Sequence, residues 1–383
     1  MKIKVQPADF IVEEITTIPQ LRHGPYTLVK LVKQYWNTLD AIELLSRHAS
    51  IPRRDIARAG LKDRYSHSVQ YLTIKGRFNS TMQTENVHVS PVGYTHHRMS
   101  PAFLHRNRFT VTLRDCSPQD LSRIAKNAPS IRKNGIVNYF DEQRFGSARH
   151  EKGFFAKLLI KHHYNGALKL LLCYPHKNDK KQERHFKHFC LEHWGHWKDC
   201  IAIAPSKYRK LLGSLIEYPR DPRRAIKTVD REFLNLYLLA YQSFLFNEVM
   251  SAYIESLEPE PIRIPYNMGM FVFFKDRPMN SFSPRMKIPM LNEKSILNRC
   301  IRPIVQSVMD REGIKLKDLA LSKMRFRGVR FRSSVRHVLI IPDRFTIGKP
   351  HADDLYPKHK KIIITFDLPP GSYATLLIKR LMG

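Results

Sequence analysis

The chain has 383 residues, of which 43% are hydrophobic and 10% aromatic, a composition typical of a folded globular protein and not of a disordered one. Lysine and arginine number 65 against 34 aspartates and glutamates, so the formal net charge is +31. A net positive charge of this size predicts a polyanionic partner, and nucleic acid is favoured over a membrane surface.

Hydropathy and cysteine usage bear on the cellular location of the protein. No apolar run reaches the roughly 18 to 20 residues that span a bilayer, and residues 1–7 contain no secretory hydrophobic region. The five cysteines are odd in number and scattered without a CxxC pair, which indicates reduced thiols. These patterns predict a cytoplasmic protein that does not contact a membrane.

Alternating apolar and polar residues in the first third of the chain predict a sheet. Strands are expected at 9–15, 26–33, 69–74 and 104–113. Capping residues and apolar spacing predict helices at 37–49, 52–60 and 118–127. A helix that ends at Gly60 and a strand that begins at Val69 would hold the segment between them as a rigidly mounted loop.

That loop opens with the turn Gly60-Leu61-Lys62-Asp63-Arg64. The two flanking cations favour the ionised form of the Asp63 carboxylate, which suits a nucleophile or a base that works at neutral pH. Taken alone, the pattern is more typical of a solvated surface loop. A second dense segment, 135–146, holds three aromatic residues between two glycines, and it is either a packed loop or a surface for bases.

The second half of the chain is mainly helical. Long apolar faces predict helices at 154–172 and 233–256, and the latter is apolar nearly all round, as buried helices are. Residues 257–300 are rich in proline and predict loops with one strand at 270–274. The end of the chain predicts a strand at 362–366, a turn at 369–371 and a short helix.

A basic segment at 322–341 returns to strand spacing. Its six cations alternate with apolar residues and are Lys323, Arg325, Arg327, Arg330, Arg332 and Arg336. Two interpretations stay open: an edge strand whose charges prevent aggregation, or a basic strip that follows phosphates.

Cysteine and histidine recur at Cys190, His193, His196 and Cys200. These residue types bind zinc, but their spacing is not that of a standard zinc finger. On a helix they would drift round the surface, so we assign no metal site.

Six short motifs follow one another along the chain. They are Lys4, Pro7, Asp9 and Phe10; Gly60 to Arg64 with Gln70; Asn107-Arg108-Phe109; Asn138 to Gly146; Gln242 to Asn247; and Leu368 to Thr375. In these motifs, and from end to end, the sequence resembles the TruD family of pseudouridine synthases.

The resemblance implies an α+β architecture. A discontinuous catalytic domain, with the mixed, mostly antiparallel sheet of pseudouridine synthases, is interrupted by a mostly helical domain peculiar to the family. Here the catalytic domain is expected at 1–150 and 336–383, and the insertion at 151–335.

The resemblance also implies a site. Asp63 matches the catalytic aspartate. Phe10, Asn107 and Tyr373 match positions that surround the target uracil, Phe109 belongs to the Asn-x-Phe element, and Lys4 and Lys62 are basic neighbours.

The reaction implied is the isomerisation of uridine to pseudouridine in tRNA, with uridine 13 of the D arm as the expected target. The uridine must be flipped out of its stack. No cofactor is expected, since the reaction needs no redox partner and the chain has no nucleotide-binding signature. The alternatives are a synthase for another RNA position, a noncatalytic RNA-binding or chaperone protein on the same scaffold, and a ribosome-associated protein.

Overall fold

The computed structural model describes residues 1–146, 152–176, 179–275, 286–322, 324, 326 and 328–383. The chain forms two compact units: unit 1 is Met1–Ile136 with Ile340–Gly383, and unit 2 is Val137–Leu339. The boundary expected at 150/151 lies outside the described residues. That unit 2 is the family's insertion domain remains a prediction.

The strands, in chain order, are β1 (Phe10–Thr16), β2 (Tyr26–Lys33), β3 (Ile56–Arg58), β4 (His67–Lys75), β5 (Met82–Gln83), β6 (Val87–Thr95), β7 (Leu104–Cys116), β8 (Ile136–Val137), β9 (Ile262–Tyr266), β10 (Gly269–Phe273), β11 (Lys287–Pro289), β12 (Val335–His337), β13 (Leu339–Ile340), β14 (Asp343–Ile347), β15 (His351–Ala352) and β16 (Lys360–Leu368).

The α-helices are α1 (Thr38–His48), α2 (Pro118–Asn134), α3 (Phe155–Ile160), α4 (Tyr164–Leu172), α5 (Lys181–Glu192), α6 (Trp197–Ala202), α7 (Ser206–Glu217), α8 (Pro222–Ile226), α9 (Arg231–Glu255), α10 (Arg302–Glu312) and α11 (Ala374–Met382). Short 3-10 helices occur at Pro7–Asp9, Arg53–Asp55, Pro101–Phe103, Glu142–Phe145 and Leu316–Ala320. Within the described ranges, every helix is too short or too polar to cross a membrane.

Unit 1 is built on a ten-stranded sheet in the order β14-β16-β7-β1-β4-β2-β6-β5, with β15 beside β16 and β3 beside β4. The β1–β4 pair is parallel and the other pairs are antiparallel. The expected mixed, mostly antiparallel sheet is therefore confirmed. Because β16 comes from the end of the chain and lies beside β7, the N-terminal and C-terminal pieces share one sheet.

Helices cover this sheet through apolar side chains. Ala41, Ile42 and Leu45 of α1 are buried against β2 and β4, as the apolar spacing predicts. The α2 helix begins with a capping box between Ser117 and Asp120. It runs seven residues past the expected end at 127 and stops at Gly135, whose φ of +76° ends the helix.

One predicted helix in unit 1 is wrong. Residues 52–60 form a single 3-10 turn and then the strand β3, which pairs antiparallel with β4. Pairing with a neighbouring strand overrides the local helical pattern here. The loop that carries Asp63 therefore lies between two strands and not between a helix and a strand.

Unit 2 is mostly helical around α9, and the expectation that this helix is buried is confirmed. The predicted helix at 154–172 is two helices, α3 and α4, because the chain turns at His162 with φ of +61°. The proline-rich region contains the hairpin β9–β10 in place of a single strand.

The basic segment of 322–341 is not a continuous strand. Residues 328–334 are irregular, β12 and β13 are short, and Lys323, Arg325 and Arg327 lie outside the described residues. Arg336 is held inside unit 2, where it donates to the Asn138 carbonyl at 2.8 Å and lies over the Phe140 ring. Both expectations for this segment assumed a strand that the described residues do not form.

Residues 137–146 form a packed loop. Tyr139, Phe140 and Phe145 are all buried. The Asn247 side chain accepts from the Phe140 amide and donates to the Phe140 carbonyl, at 2.9 and 2.8 Å. Two of the six motifs, at 138–146 and 242–247, thus brace the interior of unit 2.

The cysteine and histidine cluster divides between two environments. Cys190 and Cys200 are fully buried, whereas His196 is exposed and His193 stacks on Phe189. Across the residues that the structure describes, no three His, Cys, Asp or Glu side chains are grouped to hold a metal ion.

Candidate active site

The Asp63 side chain stands at the surface of unit 1, on the turn between β3 and β4. Its Oδ2 accepts from the Lys4 ammonium at 2.7 Å, and 43% of the Asp63 side chain remains exposed. The carboxylate is therefore part of a half-exposed ion pair that a substrate can reach.

The backbone of this turn is held by buried polar side chains. Gln70 donates to the Gly60 carbonyl at 3.2 Å, and Thr38 Oγ1 accepts from the Lys62 amide at 3.0 Å. Lys33 Nζ donates to the Asp63 carbonyl at 2.9 Å and to the Lys62 carbonyl at 3.4 Å. Ser66 Oγ donates to the Asp63 carbonyl at 2.9 Å. The four side chains are no more than 1% exposed, so the turn has a rigid base.

Lys62 belongs to a second charged group. Its ammonium donates to Glu14 Oε1 and to Asn107 Oδ1, both at 2.7 Å. Glu14 and Asn107 are cross-strand partners in the β1–β7 register, which explains why one ammonium reaches both. The Glu14 side chain is 1% exposed and also accepts from the Tyr71 amide at 3.1 Å.

This contact fixes the orientation of the Asn107 amide. An ammonium only donates, so the Asn107 atom that faces Lys62 is the carbonyl oxygen. The NH₂ group is then directed to the other side, where it can donate to a ligand acceptor. Asn107 is thus a hydrogen-bond donor at this site, although an isolated amide offers both functions.

The aromatic residues of the site form a continuous row. Phe10 meets Phe109 edge to face at 6.0 Å, and Phe109 stacks on Phe366 at 5.5 Å. Lys4 Nζ lies 4.2 Å above the Phe10 ring. Phe10 and Phe109 are 4% and 7% exposed, so most of each ring is already packed.

Lys4 is held in place by the segment that follows it. It has a φ of +55°, which is uncommon for a residue with a side chain. Asp9, one turn further on, accepts from the Gln6 amide at 3.1 Å and from Arg114 Nε at 2.8 Å. This buried Asp9–Arg114 pair anchors the segment that carries Lys4 and Phe10.

The predicted site residues thus fall into one neighbourhood with one exception. Contacts link Asp63, Lys4, Phe10 and Phe109, and the turn links these to Lys62 and Asn107. Tyr373 is half-buried at the start of α11, five residues after Leu368, the cross-strand partner of Asn107.

The cations near Asp63 in sequence also have partners elsewhere. Lys62 and Arg64 flank Asp63 in sequence, but Lys62 pairs with Glu14 and Arg64 Nε donates to the Tyr35 carbonyl. The ion pair of Asp63 is with Lys4, which is distant in sequence.

Sequence reasoning missed Glu14 and Lys33. Both carried a readable signal: each is a charge on the apolar face of a strand. Glu14 shares its face of β1 with Phe10 and Val12, and Lys33 shares its face of β2 with Val29 and Leu31, which are all buried. Charged residues at such positions are rarely buried unless they are paired.

The chain is similar to known proteins over nearly its whole length. The family model "tRNA pseudouridine synthase D (TruD)" matches residues 1–263 and 276–381. A Methanococcus maripaludis protein named "Probable tRNA pseudouridine synthase D 1" is 31% identical, with 100% of both chains covered. The "tRNA pseudouridine synthase D" of Leptospira interrogans is 29% identical over 99% of this chain and 95% of its own.

A solved structure supports the fold. A crystal structure that carries the TruD name, from Methanosarcina mazei, superposes with a TM-score of 0.75 at 21% identity and covers 100% of this chain and 93% of that one. The family model and the names of the relatives indicate a pseudouridine synthase, an isomerase. The chain belongs to the TruD family.

Proposed function

We propose that this enzyme isomerises uridine to pseudouridine in tRNA, at uridine 13 of the D arm, with Asp63 as the catalytic carboxylate. The observation that carries the proposal is the Asp63–Lys4 ion pair, half exposed on a turn whose backbone is fixed from below. A catalytic group held in this way keeps its geometry when substrate binds.

Asp63 has two possible roles in the reaction. Its carboxylate either attacks C1′ of the ribose or removes the proton from C2′, and in both cases the bond between C1′ and N1 of the base breaks. The uracil then turns and rejoins the ribose through C5. A carboxylate that accepts from Lys4 and remains accessible suits either role.

Binding of the uracil falls to the neighbouring residues. The Asn107 NH₂ would donate to a carbonyl oxygen of the base, with Lys62 and Glu14 holding the amide in that orientation. Tyr373 is less buried than Phe10 and Phe109, so more of its ring is left to stack on the base. Such a stack contributes about 1 to 3 kcal/mol, comparable to the cost of flipping the nucleotide out.

The proposal of a tRNA substrate rests on the net charge of the chain and on the names of its relatives. The net charge of +31 suits an RNA substrate, and the relatives are named for tRNA. Family membership favours an enzyme over a noncatalytic RNA-binding protein, whereas another RNA position remains the alternative. A reaction without cofactor or nucleotide, and a cytoplasmic location, remain predictions.

The test is tritium release from tRNA labelled at C5 of uracil. Wild type should release tritium, and Asp63→Asn should abolish release while tRNA affinity stays within a few-fold. Asp55→Asn, the same substitution elsewhere in unit 1, is the matched control and should remain active. Retained turnover in Asp63→Asn would remove this carboxylate from the mechanism.

The proposed target position, uridine 13, is tested separately. A tRNA with cytidine in place of uridine 13 should give no release with the wild-type enzyme. Full release from that tRNA would refute the proposed position while leaving the reaction intact.

A further inference from the structure

Lys33 is a fully buried lysine directly beneath the catalytic turn. It is the last residue of β2, its side chain lies on the same strand face as Val29 and Leu31, and its exposure is 0%. Its Nζ donates to the backbone carbonyls of Asp63 and Lys62 at 2.9 and 3.4 Å. Lysine is almost never fully buried without a partner, and here the partners are backbone atoms of the turn.

The surroundings of Lys33 work against its charge. Burial lowers the pKa of Lys33 to about 8; the charge of Asp63 opposes this shift and that of Lys62 adds to it. Its cross-strand neighbours, Ser68 on β4 and Val87 on β6, are uncharged. A fold that only needed to fill this space would place an apolar side chain here at lower cost.

We propose that Lys33 is a positioning residue of the reaction, whose ammonium holds the Lys62 and Asp63 carbonyls and thereby aims the Asp63 carboxylate at the ribose. This inference rests on the proposed role of Asp63. Lys33 is fully buried, so the proposal gives it no contact with the substrate.

The geometry explains why an ammonium group suits this position. The two carbonyls belong to consecutive residues, and an ammonium can donate to both from one atom. Ser66 supplies a second bond to the Asp63 carbonyl, and Thr38 and Gln70 hold other atoms of the turn. Loss of Lys33 should therefore loosen the turn without releasing it.

The first test is Lys33→Met, with Lys30→Met as the matched control on the same strand, where the side chain is only half-buried. Lys33→Met should lower kcat for tritium release about 10- to 100-fold, the penalty typical of a displaced catalytic group. Its Kd for tRNA should stay within about threefold, and Lys30→Met should match wild type in kcat. Equal kcat in wild type and Lys33→Met would overturn the inference, whereas no release from wild type would instead refute the proposed function.

A pH profile of the wild-type enzyme tests the positioning role of Lys33 even if the Lys33→Met variant does not fold. Below a pH of about 8 Lys33 is protonated, and above it the stronger, charged hydrogen bonds are lost. The wild-type kcat should fall as the pH rises through this value, and Lys30→Met should show the same step. A profile that stays flat across this range would contradict the role of the ammonium.

Discussion

The buried pair of Lys62 and Glu14 makes a strong prediction for stability. Lys62→Met removes the ammonium that lies 2.7 Å from a carboxylate whose side chain is 1% exposed. Glu14 would keep two neutral donors, Gln70 Nε2 at 3.3 Å and the Tyr71 amide at 3.1 Å. Because these do not replace a positive charge, the free energy of unfolding should fall by about 3 to 5 kcal/mol.

The double variant Lys62→Met/Glu14→Gln provides the control. It removes both charges and leaves a neutral amide that can still hydrogen-bond, so most of the loss should be recovered. The cycle of the two single variants and the double variant isolates the interaction of the pair. Glu14→Gln alone should also be destabilised, because the Lys62 ammonium, whose side chain is 8% exposed, loses its carboxylate partner.

The assay has to report on unit 1 by itself, since two units need not unfold together. Trp36 packs against the core beneath α1, while Trp194 and Trp197 belong to unit 2. Urea unfolding followed by fluorescence, with Trp194 and Trp197 replaced by phenylalanine in every variant, gives the signal of Trp36. A loss below about 1 kcal/mol in Lys62→Met, or a double variant no more stable than the single, would refute the reasoning.

Two further predictions concern unit 1 and the cysteines. Gly135→Ala should destabilise by about 1 to 3 kcal/mol from its backbone conformation alone, and by more because the new Cβ would lie 2.5 Å from the Ile340 carbonyl oxygen; thermal unfolding checks this, and an unchanged Tm would contradict it. A thiol reagent at pH 8 should modify Cys300 first, because Cys300 is exposed and the other four cysteines are buried. Burial raises the pKa of Cys116 to about 11 and that of Cys173 to about 12, so these thiols stay protonated. Mass spectrometry of the labelled native protein would show the order, and early labelling of Cys116 would contradict it.

Much of the sheet in unit 1 could be predicted because its strands alternate clearly. The segments at 26–33 and 69–74 coincide with β2 and with most of β4. By contrast β3 has three residues, too few for a period to show, and it exists only because β4 offers an edge to pair with. The short strands of unit 2 were missed for the same reason.

The candidate site was predictable as a set of residues but not as a set of contacts. The motifs name Lys4, Lys62, Asp63 and Asn107, yet the sequence does not show that Lys4 pairs with Asp63 while Lys62 pairs with Glu14. Those pairings depend on the register of β1 with β7 and on the path of the first nine residues. Glu14 and Lys33 are charged residues on the apolar face of a strand, and this pattern is the sequence signal that identifies them as candidate site residues.

The position of β16 in the sheet has a consequence for synthesis of the protein. The β7 strand carries Asn107 and Phe109, and its outer edge pairs with β16, which contributes Leu368 and Phe366 opposite them. Residues 117–359 are translated between these two strands, which takes about 12 to 50 s at ordinary elongation rates. For that time a nascent chain holds an unpaired edge beside an exposed aromatic row, the kind of surface on which chaperones act. The catalytic unit therefore completes its sheet only when the last strand leaves the ribosome.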